Sequence, residues 1–133
     1  MRFLIVDDDE ASRMILTAHL KGLGTCDVCS DGGQAVEAVA RVLESGRTYD
    51  VVFMDIIMPG QDGHETLERI REMERRAAIP DEKRAKAIMA TSMDDEDNTL
   101  TALFEDGASA YLVKPVAKTD LLAKLSALGI VPT

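Results

Sequence analysis

Apolar side chains in this chain alternate between short unbroken runs and longer segments where they recur every three or four positions. Runs of four to six bounded by turn residues mark strands buried on both faces, and the longer period marks helices packed by one face. The first run, RFLIV at 2–6, is followed from Ala11 to about Gly22 by Leu16, Leu20 and Leu23 at helical spacing, with Gly22 and Gly24 ending the helix. A strand near 25–29 leads into a helix from Gly32 to about Ser45, capped by Asp31, with Val36, Val39, Ala40 and Leu43 on one face. The run Val51, Val52, Phe53, Met54 ends at Asp55, and a helix starting near Asp62 carries Leu67, Ile70 and Met73. The fourth strand is AIMAT at 87–91, followed by a helix containing Leu100, Leu103 and Phe104 and ended by Gly107. The acidic run DDEDN at 94–98 reads as that helix's first turn. The fifth strand is AYLV at 110–113, and the last helix carries Leu121, Leu122, Leu125 and Leu128.

Alternation of this kind implies parallel strands joined by right-handed helical crossovers, with helices on both faces. The expected fold is a doubly wound α/β domain with a five-stranded parallel sheet and five helices. The charge-rich tract REMERRAAIPDEKRAK, Arg71 to Lys86, is expected to form a solvated helix end and a surface loop rather than a linker.

Length and charge narrow the function classes. A chain of 133 residues has the size of one domain, and the final helix leaves only GIVPT beyond it, so residues 1–133 are expected to form a single domain with no effector domain. No apolar run approaches the ~20 residues needed to cross a bilayer, and MRFLIVDDDE is too short and too acidic at its end for a signal peptide. A cytoplasmic location is expected. The formal charge of −9 argues against nucleic-acid or membrane partners and favours a protein or a cation. Cys26 and Cys29 form a C-x-x-C within a strand, where residues three apart point to opposite faces, so two buried thiols are expected rather than a zinc or redox site. His19 and His64 are expected to be exposed and outside any site.

In an open parallel sheet, ligands bind outside the carboxyl ends of the strands. Here those ends carry Asp7, Asp8 and Asp9; Asp55; Thr91 and Ser92; and Lys114 with Pro115. Carboxylates gathered in one crevice repel one another unless a cation neutralises them, and Mg2+ is commonly held by one or two carboxylates plus waters and phosphate oxygens. Asp8 and Asp55, with Asp7 at one remove, make an open magnesium site, while Asp9 faces solvent or caps the first helix. Lys114 supplies donors for a phosphoryl oxygen and Thr91 a hydroxyl. Asp55 is then the nucleophile.

The motifs LIVDDD, FMDIIMPGQDG, MATS and YLVKP, in this order and each closing the appropriate strand, resemble the receiver domain of two-component response regulators over roughly residues 2–128. The resemblance implies that Asp55 accepts a phosphoryl group from the phosphohistidine of a histidine kinase or phosphotransfer protein. It implies Asp8 as direct Mg2+ ligand, Asp7 acting through water, and the backbone carbonyl of Ile57 as a further ligand. Lys114 would pair with the phosphoryl group and precede a cis peptide to Pro115, and Tyr111 would be the switch aromatic. Thr91 is the switch hydroxyl by alignment with its strand, whereas counting back from Lys114 selects Ser92. Ile57 and Met93 would flank the path of the hydrolytic water, and their apolar bulk implies a long-lived phosphorylated form. Output would pass to a downstream target protein through the face formed by the fourth helix, fifth strand and fifth helix. The protein would act only on itself, not as an enzyme on other substrates.

Other readings fit less well. A flavodoxin-like mononucleotide binder needs a glycine- and hydroxyl-rich loop after the first strand, where this chain has DDDE. An aspartyl-phosphate phosphatase needs a second acid two residues after the nucleophile, where Ile57 stands. A calcium loop beginning at Asp94 would need glycine at Thr99. A receiver-like adaptor that binds partners without phosphorylation would be marked by loss of a site residue, and none is lost.

Overall fold

The computed structural model describes residues 1–56, 62–91 and 108–130. The apolar runs form the strands β1 (Arg2–Val6), β2 (Thr25–Cys29), β3 (Val51–Asp55), β4 (Lys86–Thr91) and β5 (Ala110–Val113). Between and after them lie α1 (Glu10–Leu20), α2 (Gly32–Glu44), α3 (Gly63–Arg76), a 3-10 turn (Asp81–Lys83) and α4 (Lys118–Ala127). The helix expected between β4 and β5, with the rest of 92–107, lies outside the described residues, as do 57–61 and 131–133. Among the described residues there are thus four α-helices, and none is long and apolar enough to cross a membrane.

All five strands are parallel, in the order β2-β1-β3-β4-β5. The chain leaves β1 in one direction to form β2 and returns past it to form β3. This reversal opens a crevice beyond the carboxyl ends of β1 and β3. Residue alternation divides the core into two layers. Phe3, Ile5, Val51, Phe53, Ile88 and Leu112 meet Leu16 and Leu20 of α1 and Leu121 and Leu125 of α4. On the other face Leu4, Val6, Val52, Met54 and Met89 meet Ala35, Val39 and Val42 of α2 and Leu67 and Ile70 of α3.

Side-chain carboxylates begin three of the helices. Asp9, Asp31 and Asp62 each accept from a backbone N–H three residues on, at Ser12, Gln34 and Glu65. Asp9 also accepts from Ser12 Oγ at 2.9 Å.

Several sequence expectations are corrected. The face of α2 turned to the sheet is Ala35, Ala38, Val39 and Val42, with Val36, Ala40 and Leu43 only partly covered. Alanines let the helix approach the sheet closely, so the apolar stripe centres on them. Leu122 on α4 is 36% exposed, because Leu121 and Leu125 already fill the sheet-facing side. Cys29 is buried against the α2 layer, but Cys26, packed on the opposite layer, is only partly so. The two thiols are therefore separated by the sheet. Burial, then the charge of Asp27, pushes the Cys29 thiol up to about 11, which keeps it protonated.

The charged tract after β3 is also not wholly solvated. Glu74 is buried: Arg71 Nη1 donates to its Oε1 at 2.7 Å and Ala85 N to its Oε2 at 2.8 Å. The same arginine nitrogen donates to Ala85 O at 2.7 Å. One ion pair thereby satisfies both backbone groups of Ala85 and ties α3 to the entry of β4.

Candidate active site

The parallel register brings the ends of β1, β3 and β5 together. Val6 is paired with Met54, so Asp7 and Asp55 lie one step further along neighbouring strands, and Asp55 is level with Ala90 of β4. Both carboxylates are withdrawn from solvent, Asp7 at 1% and Asp55 at 7% exposure. Asp7 is held at several points: its N–H donates to Cys29 O at 3.1 Å and its Oδ1 accepts from Asp9 N at 2.9 Å. Its carbonyl accepts from Arg13 Nη1 at 2.7 Å.

Lys114, just past β5, reaches across the crevice. Its Nζ lies 2.8 Å from Asp7 Oδ2 and 3.1 Å from Asp55 Oδ2. Burial opposes charge on this ammonium, but its close pairing with the carboxylates of Asp7 and Asp55 prevails and raises its pKa. It is therefore cationic throughout the neutral range. The Lys114 N–H donates to Thr91 O at 2.8 Å, the Lys114–Pro115 peptide is cis, and Val116 O lies 2.9 Å from His19 Nε2. The two hydrogen bonds fix the loop from which the ammonium extends.

Asp8 is exposed, and Asp7, Asp8 and Asp55 each offer an oxygen within 4.8 Å of the others. Asp7 Oδ2 is fully buried and, despite the nearby ammonium, has no well-aligned hydrogen bond among the described residues. Three carboxylates whose oxygens converge this closely, two of them buried, are the oxygen donor set a hard divalent cation requires. The residues present fit Mg2+.

Thr91 is buried at 5% exposure where β4 ends, and Tyr111 is half-buried on β5, level with Met89, with Lys124 Nζ 5.6 Å from its ring centroid. Ile57, Ser92 and Met93 lie outside the described residues.

Sequence reasoning missed three contributors. Arg13 reaches back to the Asp7 carbonyl. His19, expected to be exposed, is half-buried because it binds a carbonyl 97 positions away. His64 is likewise half-buried. The third is Gly63, whose N–H donates to Ile56 O at 2.7 Å, and where an added Cβ would lie 2.3 Å from Asp55 O. Backbone cannot yield as a side-chain tip can. Gly63→Ala should cost about 1–3 kcal/mol in urea unfolding and weaken Mg2+ binding by displacing Asp55. An unchanged denaturation midpoint would show that this contact is not a constraint.

The family model described as response regulator receiver domain matches residues 3–126. The two-component response regulator ORR41 of Oryza sativa subsp. japonica is 36% identical over 121 residues, covering 91% of this chain and 88% of that protein. The sensory/regulatory protein RpfC of Xanthomonas campestris is 33% identical over 131 residues, 98% of this chain but 17% of RpfC. Among solved structures, the receiver domain of the Arabidopsis thaliana histidine kinase CKI1, complexed with Mg2+ and BeF3−, matches at a TM-score of 0.83 and 27% identity, covering 96% of this chain and 89% of that one. With its acidic crevice at the switch point of the sheet, the chain belongs to the receiver domains of two-component response regulators, and is a phosphorelay signalling switch.

Proposed function

We propose that Asp55 accepts a phosphoryl group from the phosphohistidine of a histidine kinase or phosphotransfer protein, in a reaction requiring Mg2+, and that a downstream protein reads the result. The observation carrying this reading is the Lys114 ammonium 2.8 Å from Asp7 and 3.1 Å from Asp55, inside a cluster of three carboxylates. One Asp55 oxygen forms the new O–P bond as the P–N bond to the donor imidazole breaks. The imidazole leaves with the bonding electron pair. Lys114 is already charged and close, so a short movement pairs it with a phosphoryl oxygen, and the Thr91 hydroxyl, at the end of the adjoining strand, would donate to another. Bound Mg2+ would neutralise the clustered carboxylates and withdraw charge from the phosphoryl oxygens. Asp7, Asp8 and Asp55 would hold it, with the Ile57 carbonyl as the remaining protein ligand.

Phosphorylation adds nearly two charges at Asp55 and biases an existing equilibrium between two arrangements of the surrounding loops. Movement of Thr91 makes room for Tyr111, changing the surface offered to the partner. Cytoplasmic action, and catalysis limited to the protein's own modification, belong to the same reading.

The two acids after β1 separate on physical grounds. The Asp7 oxygens are already engaged by the Asp9 N–H and the Lys114 ammonium, whereas the Asp8 carboxylate is exposed. Asp8→Ala should therefore weaken Mg2+ binding several-fold more than Asp7→Ala, measured by fluorescence or NMR titration. Equal losses would contradict these roles.

A further inference from the structure

Away from the crevice, along β2 and α2, lies a groove of about 710 Å3. Arg2, Arg41 and Arg47 line it, over a floor that includes Tyr49 and Cys29. Tyr49 is buried, with its hydroxyl donating to Asp27 Oδ2 at 2.7 Å. The chain carries a net charge of −9, yet among the described residues none of these three guanidiniums has an ion pair or a hydrogen bond. Four other arginines find carboxylates: Arg71 meets Glu74, Arg75 and Arg76 meet Glu72, and Arg84 meets Asp81. The one acid lining the groove is already engaged by Tyr49.

The geometry points to a binding site in this groove for a small phosphorylated molecule carrying two or more negative charges. Guanidinium forks match phosphate oxygens bidentately, and three of them on one groove suit a diphosphate or a nucleoside phosphate better than a single carboxylate. The volume is that of a site for a ligand of this size. An acidic peptide spreads its charges along an extended chain, whereas here they are concentrated on one concavity. The groove is distinct from the Asp55 crevice, although its floor touches it at one point, where Cys29 O accepts from Asp7 N at 3.1 Å.

Amide NMR titration with pyrophosphate, inorganic phosphate and ADP, in EDTA and without phosphodonor, tests this apart from phosphorylation. Saturable shifts are expected at Val28, Arg41, Arg47 and Tyr49 with pyrophosphate or ADP. Tighter binding of ADP than of pyrophosphate assigns an organic phosphate, and equal binding assigns the diphosphate group itself. The Arg41→Gln/Arg47→Gln double variant, altered at two exposed positions, should bind at least about tenfold more weakly with an unchanged urea midpoint. Absent shifts, shifts confined to residues near Asp55, undiminished binding by the variant, or equal binding of triglutamate would each overturn the proposal.

Discussion

Asp55→Asn should abolish phosphoryl uptake from acetyl phosphate while leaving the protein folded. The amide fills nearly the same volume, so the β3 packing and the register with Ala90 are retained. Lys114 keeps Asp7 as a partner. What is lost is the anionic oxygen proposed to attack phosphorus, and a neutral amide is not a substitute nucleophile. The rate should fall below about 1% of wild type, a barrier increase above ~2.7 kcal/mol. Mg2+ binding should also weaken, because one of the three clustered carboxylates has been neutralised. Intact-mass kinetics provide the measurement. Uptake by the variant at the wild-type rate would move the acceptor elsewhere.

The second large effect is structural. Glu74→Ala should destabilise the fold by about 3–5 kcal/mol, since it removes one member of a buried ion pair and leaves the other behind. The side chain of Arg71 is only 12% exposed, and the Ala85 N–H would lose its acceptor. Against the roughly 5–15 kcal/mol that separates folded from unfolded domains, this is a substantial fraction. Replacing both partners by leucine should recover part of the loss, because the unpaired charge disappears with the pair. Urea unfolding of the two variants decides it. A loss below about 1 kcal/mol for Glu74→Ala would mean that water reaches Arg71 in the native state.

Physical differences among these contacts explain what was legible in the chain. Strands buried on both faces leave unbroken apolar runs, so β1, β3 and β4 stood out, and the acids closing β1 and β3 were visible as breaks in those runs. Capping is local, which is why Asp31 and the helix start near Asp62 could be read directly. Arg13 and His19 were not legible, because each serves the site through a backbone carbonyl that no residue pattern marks. Glu74 looked like one more charge in a solvated tract, since its burial depends on the chain returning after α3 to bring Ala85 against it. Gly63 closes the motif FMDIIMPGQDG, but its close approach to the backbone of Asp55 exists only once α3 is docked.

In the proposed reaction one residue of this crevice carries the phosphoryl group, and the direct measurement is to locate it. The protein is incubated with acetyl phosphate and Mg2+, reduced with borohydride to trap the acyl phosphate, digested and sequenced by tandem mass spectrometry. Reduction should convert Asp55, and no other residue, to homoserine, and the product should vanish when EDTA replaces Mg2+. Label at Asp7 or Asp8, or label at Asp55 that persists in EDTA, would contradict the account.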